Sequence, residues 1–176
     1  MNKDIRQSIL EKVDHLDDLQ NLCYTDQLNQ QICSDKLFWI HWYKKQGIRF
    51  PGNVYHQAFE WIEEYKHIEK LIKETNILLE QLNDKEKSLI YRFVMNEEFV
   101  LLHEDEEAAE LSHYLSLCPG TIKVTIKKGS GMYTVYYTQN NVRSKGIHFN
   151  LNKTQMTNYL FGVLEQGFKV TVTPQF

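Results

Sequence analysis

The sequence predicts an α+β protein in which an all-helical N-terminal region precedes a small β-β-β-α-β domain. Apolar residues recur at helical spacing from residue 3 to about residue 117, but beyond residue 119 they alternate with a period of two. The dipeptide Pro119-Gly120 breaks the chain where the period changes. The sign of the net charge also reverses there. Residues 121–176 contain seven Lys or Arg and one acidic residue, whereas residues 1–120 contain thirteen Lys or Arg and 22 acidic residues. Two parts with different partners are therefore expected.

Four short helices are predicted in residues 1–50, and Ser34 or Asp35 is the expected N-cap of the fourth. A long helix over about 54–82 follows, with Asn53 as its cap. A further helix is predicted to begin at Asn83 and to continue through Leu89, Ile90, Phe93 and Val94. Residues 51–118, in which a last helical stretch resumes at Ala108 after the acidic run 104–107, would then form a helical hairpin or bundle.

The third predicted domain, residues 119–176, is a small basic α+β unit. Residues 121–127 and 132–138 alternate as a β-hairpin around Gly129-Ser130-Gly131, and residues 146–151 form a third strand. Asn152 and Gln155 have the spacing of a capping box, which opens a helix that ends at Gly167. Residues 168–173 are the last predicted strand.

Composition places the chain among globular proteins, with 176 residues, 42% of them hydrophobic and 24% charged. The cysteines Cys23, Cys33 and Cys118 lie in apolar helical sequence, so they are expected to be reduced core thiols of a cytoplasmic or nuclear protein. No apolar run approaches the roughly 18 residues that span a bilayer, and no signal peptide is recognisable. No membrane partner is expected.

Sequence motifs of catalysis are absent. The chain has no nucleotide-binding glycine loop, HExxH, GxSxG or CxxC, and its seven histidines are dispersed without metal-ligand spacing. The sequence therefore predicts a non-enzymatic protein with no catalytic residues, no cofactor and no metal site.

Residues 4–46 carry a family resemblance. Asp4-Ile5 is followed by Ile9-Leu10, then by a Leu-x-Asp-Leu-x-x-Leu-Cys core over 16–23, and then by Cys-x-Asp-x-x-Phe-Trp over 33–39. This series resembles an F-box, especially the divergent F-boxes of large DNA viruses, over about a quarter of the chain. Asn2-Lys3 stand where the family usually has Leu-Pro, and residues 25–28 lack its usual basic-x-Trp/Phe.

The resemblance implies a three-helix module that docks on a Skp-type adaptor of a cullin ubiquitin ligase. A helical module this small cannot bury all its apolar positions, so the surplus would face a partner. Ile32 and Trp39 are expected to be internal. In the alternative interpretation, all these positions belong to the core of a larger helical domain. Carried over by position, the partner-facing residues are Ile5, Ile9, Leu10, Leu16, Leu19 and Leu22.

The C-terminal domain combines basic residues with tyrosines. Lysines on one solvent face of a strand, beside tyrosines of the next strand, suit phosphate attraction and base stacking on single-stranded nucleic acid. The alternative is that edge lysines only prevent sheet aggregation while tyrosines fill a half-buried surface. The candidate residues for nucleic acid or an acidic partner are Lys123, Lys127, Lys128, Tyr133, Tyr137, Arg143 and Lys145.

The leading functional hypothesis is a protein-binding adaptor, an F-box-like substrate receptor whose C-terminal domain binds an unidentified target protein. The second hypothesis is a structural or virion-associated protein whose basic C-terminal domain contacts nucleic acid or an acidic partner.

Overall fold

The computed structural model describes residues 2–83, 87–94, 120–139 and 147–174. The chain divides into two compact units, Met1–Glu69 and Lys70–Phe176. Helices occupy the first unit and a five-stranded antiparallel sheet dominates the second, which confirms the predicted mixed α+β class. The division between residues 69 and 70 differs from the predicted boundaries at 50/51 and 118/119.

Five helices begin in the first unit. They are α1 (Lys3–Leu10), α2 (Leu16–Cys23), α3 (Gln27–Cys33), α4 (Lys36–Lys45) and α5 (Ala58–Gln81). The predicted cap at Asp35 is confirmed, since its Oδ1 accepts a hydrogen bond from the Leu37 amide at 2.9 Å. The cap predicted at Asn53 is wrong, because α5 begins after Gln57. There the Glu60 carboxylate accepts the amides of His56 and Gln57 at 3.1 and 3.0 Å.

Aromatic side chains from α4 and the start of α5 form the core of the helical unit. Trp39 and Trp61 are fully buried and stack at 6.2 Å between ring centroids, and Tyr65 packs edge-on to Tyr43 at 5.1 Å. Cys23 and Cys33 are buried as predicted, but they form a disulfide with a Cα–Cα distance of 5.8 Å. The expectation of reduced thiols is therefore wrong for this pair in the structure.

The second unit contains strands β1 (Lys87–Val94), β2 (Thr121–Lys128), β3 (Tyr133–Gln139), β4 (Ile147–Leu151) and β5 (Thr171–Pro174), with helix α6 (Lys153–Glu165) between β4 and β5. The strand order is β4-β3-β2-β1-β5, and every neighbouring pair is antiparallel. The predicted capping box is confirmed, since Asn152 and Gln155 exchange hydrogen bonds of 2.9 Å. Gly167 follows α6 with a φ of 81°, a conformation that favours glycine at a helix end.

Strand β1 replaces the helix predicted to start at Asn83. Leu89, Ile90, Phe93 and Val94 fit a helical spacing, but the segment is also rich in β-branched and aromatic residues. It pairs with β2 on one side and with β5 on the other, so both backbone edges are hydrogen-bonded. This tertiary pairing outweighs the local helical pattern, and the predicted helical hairpin is wrong.

One face of the sheet forms the core of the second unit. Leu89, Val124 and Val135, each fully buried, pack in one cluster with Leu160 and Val163 of α6. Leu71, Leu78 and Leu79 from the second half of α5, and Leu82 directly after it, join the same cluster. The helical stretch predicted from Ala108 to Cys118 lies outside the described residues.

Candidate functional site

Helix α1 exposes two isoleucines on one side. Ile5 and Ile9 are four residues apart, so they lie one turn apart on the same helix face, and they are 54% and 46% exposed. We call this pair the α1 strip. Both residues belong to the partner-facing set that the F-box resemblance implies.

The other side of α1 is fixed to the helical unit by polar contacts. The Arg6 guanidinium is hydrogen-bonded and ion-paired to Asp26, and it also donates to Asn29 Oδ1 at 3.3 Å. The pKa of the Asp26 carboxyl is lowered, first by the hydrogen bond from the Asn29 amide and then by Arg6. Leu10, the last residue of α1, is buried, with 2% of its surface exposed. These anchors hold α1 so that the α1 strip stays on the surface.

The remaining predicted partner-facing residues divide by burial. Leu10 and Leu19 are 2% and 0% exposed, so they are core residues and the interpretation of both as contact residues is wrong. Leu10 is the last residue of α1 and Leu19 lies within α2. The sequence pattern alone does not separate core from surface at these positions. Leu16 and Leu22 are half-buried. Ile32 and Trp39 are internal, as predicted.

The face of the sheet that points away from the core carries polar side chains, and we call it the polar face. Its members alternate with the buried residues along each strand, which follows from the two-residue period of β-structure. No acidic residue occurs among the described residues of this face. They are Ser88, Ile90, Arg92, Thr121, Lys123, Thr125, Lys127, Thr134, Tyr136, Thr138, His148, Asn150, Thr171 and Thr173.

Two cations of the polar face stand directly opposite each other. Arg92 of β1 pairs in register with Lys123 of β2, and Lys127 lies two positions beyond Thr125 on the same strand. Like charges at opposed positions of neighbouring strands repel and destabilise the sheet. Within the described ranges, none of these three cations forms an ion pair. The arrangement therefore favours an anion on this face.

Two aromatic rings stack on the same face. Tyr136 of β3 pairs in register with His148 of β4, and their ring centroids are 5.7 Å apart with an interplanar angle of 29°. Thr125 lies opposite Tyr136 on the other side. His148 is exposed and Tyr136 is half-buried. The polar face thus offers a flat aromatic surface beside positive charge.

Several residues predicted for nucleic-acid contact lie on the core face instead. Tyr133 and Tyr137 are each 4% exposed, and Lys128 Nζ is hydrogen-bonded to Asn83 Oδ1 and lies 5.8 Å from the Tyr133 ring centroid. The interpretation of Tyr133 and Tyr137 as contact residues is wrong, because the strand period places them with Val135 on the buried side. Lys128 lies on the same side at the end of β2, but it is only half-buried, so its role stays a prediction. Lys123 and Lys127 lie on the polar face. Arg143 and Lys145 lie outside the described residues.

Sequence reasoning missed three residues of the polar face. Arg92 was assigned to a helix, and His148 was counted only as a dispersed histidine. Tyr136 was not among the candidate residues, because the pairing that puts it between lysines and His148 depends on the register of three strands. Alternation within 87–94, 132–138 and 147–151 is the sequence signal that could have located Arg92, Tyr136 and His148.

No group of three or more His, Cys, Asp or Glu side chains within the described ranges is arranged to hold a metal ion. None of the helices described is long and apolar enough to cross a bilayer.

Fold and surfaces together define a two-unit α+β protein with an exposed apolar strip on its helical unit and a basic face on its sheet that has no acid among its described residues. No protein-family model matches the chain, and no curated protein and no solved structure is significantly similar to it.

Proposed function

We propose that the chain is a non-enzymatic adaptor whose helical unit docks on a Skp-type protein of a cullin ubiquitin ligase, while its sheet unit binds the target. The proposal is supported by the F-box resemblance of residues 4–46 together with the α1 strip. Target recruitment is assigned to the sheet unit because its polar face carries charge that the chain leaves without a counterion within the described ranges.

The α1 strip is the observation that carries this proposal. Ile5 and Ile9 remain about half exposed although the same short helix buries Leu10 and anchors Arg6. Covering apolar surface contributes about 25 cal/mol for each Å² removed from water, so a partner that covers both side chains gains affinity from them. Half-buried Leu16 and Leu22 would extend such a contact on α2.

The adaptor role places the protein in the cytoplasm or nucleus, where such ligases act. Disulfides are rare in those compartments, because cellular thiol systems keep cysteines reduced. The redox state of Cys23 and Cys33 inside cells therefore checks the localisation. Free thiols trapped by rapid alkylation would support it, whereas an intact disulfide would count against it.

Co-expression with a Skp-type adaptor tests the docking. We expect the tagged chain to co-purify with the adaptor, and we expect Ile5→Asp combined with Ile9→Asp to abolish co-purification, because two charges would enter an apolar contact. Val54→Asp is the matched control, since Val54 is 58% exposed and lies outside the F-box-like segment. Buried Leu19 is unsuitable for this test because a charge there would unfold the unit.

Two results would contradict the docking proposal. The first is no co-purification of the wild-type chain at all. The second is equal binding by the wild type and the double variant, with both folded by circular dichroism.

A second candidate function is a structural or virion-associated protein whose sheet unit contacts nucleic acid or an acidic partner. The opposed Arg92 and Lys123 favour it, since an anion on the polar face would relieve their repulsion.

A further inference from the structure

The polar face has three features that together suit one class of ligand. It has cations at Arg92, Lys123 and Lys127, it has no acid among its described residues, and it has the Tyr136–His148 stack. Positive charge alone attracts any polyanion. The aromatic stack adds a surface that suits planar bases.

Register fixes how close these features are. Lys123 is opposite Thr138 and Lys127 is opposite Thr134, so each lysine is a diagonal neighbour of Tyr136. Diagonal neighbours on adjacent strands are about 7–8 Å apart between Cα atoms, within reach of long side chains. Tyr136 therefore has a lysine of the neighbouring strand β2 at each of its two diagonal positions.

We propose that the polar face binds single-stranded nucleic acid, with Arg92 and Lys123 holding a phosphate and the Tyr136–His148 stack receiving an unpaired base. A base that lies on these rings extends an existing stack, and every nucleobase has a planar face to offer. Duplexes keep the faces of their bases covered by neighbouring pairs, so a flat sheet surface reaches stacked contacts only on single strands. An acidic peptide would satisfy the cations but would leave the aromatic surface unused.

This inference gives the second candidate function a definite ligand, and it does not depend on the docking of α1. Variants of Ile5 and Ile9 report on that docking, whereas variants of the polar face report on nucleic acid. The two proposals can therefore fail separately.

Fluorescence anisotropy with labelled oligonucleotides of about twelve nucleotides tests the proposal, using single-stranded DNA, single-stranded RNA and a duplex as separate probes. We expect the full chain to bind a single strand more tightly than the duplex. We expect Tyr136→Ala to weaken binding at least about fivefold, the lower range for one stacked base, and Tyr136→Phe to restore it. The comparison of DNA with RNA identifies which strand is preferred.

Arg92→Glu separates binding from stability. A carboxylate opposite Lys123 replaces a repulsive pair with an attractive one, so we expect an unchanged or higher urea midpoint. Binding should nevertheless fall about tenfold or more, and the salt dependence of the remaining binding should become shallower. Lys169→Glu is the charge-matched control, because exposed Lys169 lies between α6 and β5 rather than on the polar face.

Four outcomes would overturn the proposal. They are absent binding of single strands at about 50 mM salt, equal or tighter binding of the duplex, equal weakening by Lys169→Glu and Arg92→Glu, and binding insensitive to Tyr136→Ala. Binding of an acidic peptide instead, lost in Arg92→Glu, would retain a basic docking face but exclude nucleic acid as its ligand.

Discussion

Trp39→Ala is expected to lower the free energy of unfolding of the helical unit by about 3–5 kcal/mol. The Trp39 side chain is fully buried, and its ring centroid lies 5.6 to 6.4 Å from those of Phe38, Trp42, Trp61 and Tyr65. Removing the indole leaves a cavity at the centre of this aromatic core, which the rigid rings around it cannot fill.

A hydrogen bond is lost together with the packing. Trp39 Nε1 donates to the backbone carbonyl of Cys33 at 2.7 Å, which ties α4 to the end of α3. The truncated side chain leaves that buried carbonyl without this donor, which adds about 1 kcal/mol or more to the cost. This bond also explains why a tryptophan fits here better than a purely apolar ring.

Urea unfolding followed by tryptophan fluorescence measures the effect. All three tryptophans lie in the helical unit, so Trp42 and Trp61 still report on it in the variant. Leu37→Ala is the control, because Leu37 is on the same helix but 62% exposed, and its loss should stay within about 0.5 kcal/mol. A Trp39→Ala effect as small as the control would show that the aromatic cluster is not the core of this unit.

Elements with local determinants were predictable from the sequence. The four short helices and α6 follow from apolar spacing and from caps that bond within a few residues, such as Asp35 to Leu37 and Asn152 to Gln155. The β2–β3 hairpin follows from alternation on both sides of a glycine-containing turn. In each case the stabilising contact lies close in sequence.

Strand β1 was not predictable in this way because its partners are distant. Leu89 pairs with Ile126 and Val172, which are far along the chain, and residues 87–94 alone fit a helix or a strand. Without β1 the sheet would lack the strand that joins β2 to β5. The predicted helix also hid the pairing of Arg92 with Lys123, since a residue on that helix would not lie opposite a residue of β2.

Burial was the second limit on predicting the functional surfaces. Ile9 and Leu10 are adjacent and both apolar, yet Ile9 is 46% exposed and Leu10 is 2% exposed. Tyr136 and Tyr137 are likewise adjacent, and one faces the lysines while the other is buried. The residue types predict that each surface contains apolar or aromatic side chains. Which of two adjacent side chains is exposed to a partner depends on how the neighbouring helices and strands pack.

Alkaline pH is expected to destabilise the sheet unit through its buried tyrosines. The hydroxyls of Tyr137 and Tyr159 are 2.7 Å apart, and Tyr159 is also hydrogen-bonded to Tyr91. Burial raises the pKa of Tyr137 from 10 to about 12, and it raises the pKa values of Tyr91 and Tyr159 well above 10. The folded state thus holds these phenolic protons more tightly than the unfolded state does.

The sign of the pH effect follows from these raised pKa values. The stabilisation is fully present below about pH 10, where the phenols are protonated in both states, and it is lost as pH rises through the folded pKa of about 12. At about pH 11 the unfolded state has released most of these protons while the folded state still holds them, so the free energy of unfolding is lower there than at neutral pH.

Tyr137→Phe tests the contribution of one of these hydroxyls. The variant keeps the ring but removes the ionisable hydroxyl, so its loss of stability between about pH 8 and about pH 11 should be smaller than that of the wild type by about 1 kcal/mol. Urea unfolding followed by far-ultraviolet circular dichroism at both pH values gives the difference, and the measurement at the lower pH corrects for the hydrogen bond to Tyr159 that the variant lacks. Identical pH dependence in the two proteins would mean that Tyr137 ionises as readily in the folded chain as in the unfolded one, and hence that its hydroxyl is not buried with Tyr159 in the core of the sheet unit.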